Sequence, residues 1–514
     1  MELKVFKNTL TAYGGRWETR LELPVETEIL IPDYLPAVFK IVKCLVEPVL
    51  MQNRVAAARW QGEGYLRCTV YYQSDEAGTQ LYRTEQKFPF EKAVELPEGS
   101  YLQGPARVWG EPEYVNCRAV SEHRIDLRGA YALCVSAEGV REQELLTALA
   151  DCGIEQRTEA FTGCGCVAAE EKTATAEDTI PLPGVGESIL DISGFATTEE
   201  VSVQTGQLSF KGTLHMQVCY RPAGEGGAAC REKEIPVQQT MELDGVAEGD
   251  DATVWGELLS STLTAGEGDG APTLTVTWKL HAELWRGGSY TAVADAYSTL
   301  CKTETTRVSW QVLQQADALA ETVRADVSDT LPETATEVKG CFVTLGSLTP
   351  VQGEGEAATL LVGKGTAHIL CADERGELAC FDKPFAWQLG KAWSGAPESY
   401  TAHAYAVLTR VNAVKDGGDM KVSMEIGVTG TLFHAQRIDA VGDVELGELI
   451  PDKSEGPSLY LYCAQEDERI FDIAKNYHAR AKDLAAANHL EVEAGQTLPE
   501  LKSKAGFLLI PAAL

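Results

Sequence analysis

Three separate stretches of the chain alternate strictly between apolar and polar residues. Leu274, Val276, Trp278, Leu280, Ala282 and Leu284 alternate with Thr275, Thr277, Lys279, His281 and Glu283. Val422, Met424, Ile426, Val428 and Leu432 alternate in the same way with Lys421, Ser423, Glu425, Thr429 and Thr431. Ile125, Leu127, Tyr131, Leu133 and Val135 share one face of a third stretch. A period of two places one set on a core and the other in water, the signature of antiparallel sheets with one wet face, as in sandwiches. Turn clusters such as Glu225-Gly226-Gly227, Gly266-Glu267-Gly268-Asp269-Gly270 and Lys415-Asp416-Gly417-Gly418-Asp419 punctuate these runs and favour an all-β reading. One exception is 140–150, whose composition predicts a short helix packed between modules.

The pattern is also repeated. An apolar-Pro step occurs at Ile31-Pro32, Leu182-Pro183 and Leu331-Pro332, at intervals of 151 and 149 residues. About 30 residues after each step comes a glycine inside a strand pattern, at Gly64, Gly212 and Gly365. Around two of them the string Lys-Gly-Thr-x-His recurs, ending in His215 and His368, with Arg67 at that place in the first copy. A glycine inside a strand marks a bulge or a close backbone approach. Three markers in order at one spacing predict three modules, near 18–165, 177–308 and 320–450, joined by polar links at 168–178 and 452–457.

After Pro457 the period changes. Ser458 to Ala464 reads as a strand, and Ile470, Ile473, Ala474 and Tyr477 follow helical spacing. A second helix over 481–487 is followed by Asn488, and Gly506 to Pro511 returns as a strand. This order resembles the LysM domain, on Tyr462, Ile470, Phe471, Ile473, Ala474, Tyr477, Leu484, Asn488, Leu508, Ile510 and Pro511. Where that family has a Gly-Asp-Thr turn, this chain has Asp467-Glu468-Arg469. The segments 31–36, 64–72 and 113–121 resemble the SPOCS domain, and the whole layout is similar to SipL-type spore coat morphogenetic proteins of endospore-forming Firmicutes.

The fold class expected is therefore mainly β: three tandem antiparallel β-sandwich-like modules, then a small α+β (βααβ) LysM domain at 457–514. The resemblance implies a non-enzymatic scaffold of the mother-cell cytoplasm, recruited to the forespore surface. Its LysM domain would dock on a coat ATPase like stage IV sporulation protein A, and the β-modules would form a multivalent rod. The alternative is a peptidoglycan binder that grips N-acetylglucosamine glycan. Either partner would meet the surface around Asp467, Glu468, Arg469, Phe471, Asn488 and Leu490.

Charge and composition narrow the picture. A formal charge of −32 over 514 residues disfavours nucleic acid and anionic lipid as partners. The N-terminus lacks a signal-peptide core, and no apolar run is long enough for a membrane span. The 14 cysteines are scattered without a CxxC, so free buried thiols are expected rather than disulfides, with Cys164 and Cys166 on a connector. Gly363-Lys364-Gly365-Thr366 lacks P-loop spacing, and neither GxSxG nor HExxH occurs. His215 and His368 are expected on a shared wet strand face, and Trp60, Trp255, Trp278 and Trp310 in cores or on sheet faces. No catalytic residue, cofactor or metal is expected.

Overall fold

The computed structural model describes the chain except for residues 1, 57–58, 75–79, 96–100, 184, 223–227, 267–269, 355–357, 451–458, 492–500 and 512–514, and except for the side chains of 101–105 and 185–188. The turn at Glu225-Gly226-Gly227, most of the 266–270 turn and the link at 452–457 lie outside the described residues.

The chain is mainly β, and one six-strand pattern occurs three times. The first set is β1 (Lys4–Leu30), β2 (Lys40–Ala56), β3 (Arg59–Gln73), β4 (Leu81–Glu95), β5 (Tyr101–Ser121) and β6 (Arg124–Ala150). The second is β7 (Ile154–Thr179), β8 (Val185–Gln204), β9 (Gln207–Pro222), β10 (Ala229–Glu242), β11 (Asp251–Thr264) and β12 (Thr273–Ser298). The third is β13 (Cys301–Thr330), β14 (Glu337–Gln352), β15 (Ala358–Ala372), β16 (Leu378–Ser394), β17 (Tyr400–Asp416) and β18 (Asp419–Leu449). In each set the second, third and fourth strands form a meander, while the first and fifth flank the sixth. The two layers enclose an apolar core: around Trp60 and Leu133 in the first set, Phe210 and Trp278 in the second, Ile369 and Ile426 in the third.

The outer strands of each set are 26 to 31 residues long, too long for one sandwich. Their overhanging halves meet in a common hub. Leu10, Leu145, Phe161, Ala292, Trp310 and Ile438, one from each long strand, share a cluster there. The three units therefore converge on one another rather than stand in series as a rod. Burying the overhangs against each other removes apolar surface that no single unit could cover.

Two expectations fail for this reason. Residues 140–150 end β6 as strand, not helix, because they pair with the start of β1 (Leu10 opposite Gln143, Val5 opposite Leu149) and bury Leu145, Leu146 and Leu149. Tertiary pairing overrides local helix propensity there. The supposed link at 168–178 is the C-terminal part of β7, fully paired with β12, and Cys164 and Cys166 lie in the same strand. Its alternation is masked because the inward residues are alanines: Ala168, Ala174 and Ala176 pack on the second core.

The thiol expectation fails at one place. Cys219 and Cys230 are directly opposed on β9 and β10 and form a disulfide; the other twelve cysteines form none. The embedded glycines behave as expected. The partner strand shifts register beside Gly64, Gly212 and Gly365. A Cβ at Gly64 or Gly212 would lie 2.1 or 2.2 Å from the carbonyl oxygen of Val49 or Thr197.

The C-terminal unit runs β19 (Leu459–Ala464), α1 (Ile470–Asn476), α2 (Ala481–Ala487) and β20 (Gly506–Pro511), a βααβ order with β19 antiparallel to β20. Its core of Ile470, Phe471, Ala474, Leu484 and Ile510 includes one residue from the body, Tyr297 of β12. Among the described residues no helix is long and apolar enough to cross a membrane.

Candidate functional site

The turn after β19 is built on Glu468. Its carboxylate accepts from the Tyr462 hydroxyl at 3.0 Å and from the Gln465 amide at 2.9 Å, and this bond pushes the Tyr462 phenol above its ordinary value. Asp467, at the place of the LysM-pattern glycine, keeps a left-handed φ of 67°. Aspartate tolerates that region better than most residues. Its side chain lies 3.5 Å from Lys502. Arg469 precedes α1, and its carbonyl accepts from the Ile473 amide.

The remaining residues expected at this surface are structural. Phe471 is fully buried, edge-on to Tyr297 with ring centres 5.1 Å apart, so it is not part of any docking surface. It follows the first helical position, where the i, i+3 spacing turns it inward. Asn488 donates to the carbonyls of Leu484 and Leu509 and accepts from the Leu509 amide, tying the end of α2 to β20. Leu490 packs half-buried on the core. Only Asp467, Glu468 and Arg469 stand together, as one turn.

The apolar surface of this unit lies elsewhere. Tyr460, Tyr462, Leu508 and Ile510 face the helices, and the intervening residues of the two strands face outward. Leu461 and Leu509 are directly paired, as are Cys463 and Phe507. Leu461 is 65 % and Phe507 71 % exposed, and Leu459 and Leu509 are also exposed. The helix side is held to the body by the Lys475 ammonium on both oxygens of Asp295 (2.7 and 2.8 Å), and by the Tyr297 hydroxyl donating to the Ala479 carbonyl. The apolar sheet face is the opposite one. The signal was present in the sequence: Leu459-Tyr460-Leu461-Tyr462-Cys463 has no polar set, so a two-layer unit must expose one apolar set.

Where the three units meet, the polar faces of the strands are buried rather than wet. Lys279 is 1 % exposed; its ammonium donates to the Leu50 carbonyl at 2.7 Å and to Glu171 at 2.9 Å. His281 sits between Glu171 (3.3 Å) and Glu257 (2.8 Å), stacked under Trp255. Burial works against the charged ring, but the two carboxylates outweigh it and push His281 up to about 9. His368 is also buried, not wet as expected. It bonds to Thr344 and Asp382, and Asp382 in turn pairs with Lys43 of the first unit at 2.6 Å. Its repeat counterpart His215 makes the same threonine contact, to Thr197.

At the centre of this seam, His403 of β17 lies with Nδ1 3.1 Å from Glu283 of β12 and Nε2 3.5 Å from Glu138 of β6. All three are at least 98 % buried. Glu138 also accepts from the Thr401 hydroxyl at 2.7 Å, with the Arg107 guanidinium 3.6 Å away. Burial alone would raise the Glu138 carboxyl, but His403, Arg107 and Thr401 bring it down to about 2. Burial likewise opposes the charge on His403, and Glu283 and Glu138 overcome it, so the ring lies above its ordinary value. Next to the cluster is a cavity of about 690 Å³ lined from all three units, by Arg16, Asn53 and Ser136, by Trp255 and Lys279, and by Tyr405. Of its charged groups, Arg16 pairs with Glu18, and Lys279 and His281 with Glu171, each within one unit, whereas Glu283 pairs with His403 across two units. Trp60, Trp278 and Trp310 are core residues, whereas Trp255 lines this cavity.

No curated protein and no solved structure matched the chain. Residues 187–264, which span β8 to β11, match the family model of the SipL SPOCS domain, a sporulation-related family.

Proposed function

We propose that this protein is a non-enzymatic scaffold of endospore coat assembly. The observation that carries the reading is the SPOCS match over β8–β11 together with the identical strand order of β2–β5 and β14–β17. On this reading the modules expected near 18–165, 177–308 and 320–450 correspond to the six-strand sets of 4–150, 154–298 and 301–449 and are three SPOCS-like copies, and 457–514 is a LysM domain. The protein works in the mother cell at the forespore surface. Its LysM unit docks on a morphogenetic ATPase like stage IV sporulation protein A, through the outward apolar face of Leu459, Leu461, Phe507 and Leu509, beside the Asp467–Arg469 turn. Exposed apolar patches rimmed by polar residues mark such contacts. The convergent units offer several surfaces at fixed separations, so weak contacts to coat proteins add through effective concentration.

The test is a pull-down with the stage IV sporulation protein A-like ATPase. The full chain is expected to retain it, the chain lacking 457–514 to lose it, and Leu461→Glu/Phe507→Glu to weaken it at least about tenfold, or ~1.4 kcal/mol. Sedimentation with purified peptidoglycan, without ATPase capture, would reverse the assignment in favour of glycan binding.

A further inference from the structure

The seam holds a charge arrangement that the scaffold reading leaves unused. Glu138 belongs to the first unit, Glu283 to the second and His403 to the third, so one imidazole bridges carboxylates from two neighbours. The groups facing it are few. Tyr13, Arg16, Glu18 and Arg107 of the first unit lie around Glu138, Cys166 of β7 lies near Glu283, and Trp285 of β12 and Phe433 of β18 present ring edges to His403. Thr431, opposite His403 in the β17–β18 pair, bonds to Thr253 of the second unit at 2.6 Å.

Arg16 is neutralised by Glu18 at 2.6 Å, so the remaining charges balance only when the imidazole is protonated: imidazolium and Arg107 against Glu138 and Glu283. A neutral ring leaves one carboxylate in excess among side chains that are at least 98 % buried, and an uncompensated buried charge is strongly destabilising. The apolar hub holds the far ends of the units together independently. Relief therefore falls on the seam, where the cavity lies.

We infer that the Glu138–His403–Glu283 bridge is a proton-operated latch: protonated, it closes the three units over the central cavity, and loss of its proton to water loosens the seam while the hub stays assembled. Because the folded environment favours the charged ring, closure is complete below about pH 6.5 and fades as pH rises through the elevated His403 value. His281 titrates against Glu171 and Glu257 at the same cavity, so the test must separate the two rings.

Hydrogen exchange of the full chain, corrected for intrinsic rates, reads the latch directly. Between about pH 6 and pH 9, peptides of β5, β12 and β17 near the bridge are expected to lose protection at least about tenfold. Core strands β3 and β9 should stay unchanged. In His403→Gln the seam exchanges fast at both pH values, whereas His281→Gln keeps the step. Equal seam protection at both pH values in the unaltered protein overturns the latch. So does a step that survives in His403→Gln or vanishes only in His281→Gln. If His403→Gln does not fold, Glu283→Gln must move the step to lower pH, and an unmoved midpoint overturns the proposal.

Discussion

Single residues carry the repeat most sharply at Gly212 and its counterparts. Its hydrogen stands where a Cβ would meet the Thr197 carbonyl oxygen at 2.2 Å and the Phe210 ring at 2.6 Å. The backbone oxygen cannot swing away without breaking the β8–β9 ladder. Gly212→Ala is therefore expected to cost about 1–3 kcal/mol in chemical denaturation, as overpacking does. Gly390 is the control: it lies in β16 with nothing within 4 Å of its built Cβ. Gly390→Ala should change stability by less than about 0.5 kcal/mol. Equal costs at both positions would show that close approach is not why glycine stands at 64, 212 and 365. The same contrast explains what a motif reader sees: Lys-Gly-Thr in a strand is a packing constraint, not a phosphate loop.

Elements were legible where a strand had one apolar and one polar set. In β12 and β18 every residue of the expected apolar set is buried, and the turn at 416–419 closes β17 onto β18. β7 was not legible because its inward residues are small, and 140–150 was not because local propensity carries no information about a strand 140 residues earlier. The wet faces were misread for a related reason: alternation tells which set faces the unit's own core, not whether a neighbouring unit covers the other set. In the candidate docking unit the sequence pointed to the turn at 467–469 and gave no weight to the outward sheet face. A two-stranded sheet is marginal by itself, so β19 and β20 depend on the helices beneath them. Phe471→Ala is expected to unfold this unit locally, at about 3–5 kcal/mol. The loss should appear as proteolysis within 459–511, with the three larger units intact. Phe507→Ala, on the exposed face, should leave proteolysis unchanged and weaken only ATPase capture. If Phe507→Ala unfolds the unit as readily as Phe471→Ala, the outward face is not a free surface.

At the scale of the whole molecule, the chain carries a formal charge of −32 yet buries ion pairs exactly where its units meet, and this combination sets a pH window. On the acid side, Glu138 is held down at about 2, below its ordinary range. Its contribution is complete above about pH 4.5 and disappears as pH falls toward 2, when a protonated carboxyl abandons Arg107 and His403. On the alkaline side, His281 is held up at about 9. Its contribution is complete below about pH 6.5 and disappears as pH rises through 9. Stability should therefore plateau between about pH 4.5 and 6.5 and decline on both sides, far from symmetric about the sequence pI of 4.7. Falling net charge near pH 4.7 lowers self-repulsion and adds to the acid shoulder of that plateau. Thermal unfolding of the full chain from pH 3 to 10 checks the shape. His281→Gln, which keeps Trp255 a stacking partner but cannot charge, should lower stability near pH 6 and flatten the alkaline limb. An alkaline limb as steep in His281→Gln as in the unaltered protein would assign that limb to His403 alone, because Glu171 would then be satisfied by Lys279 without help from the ring.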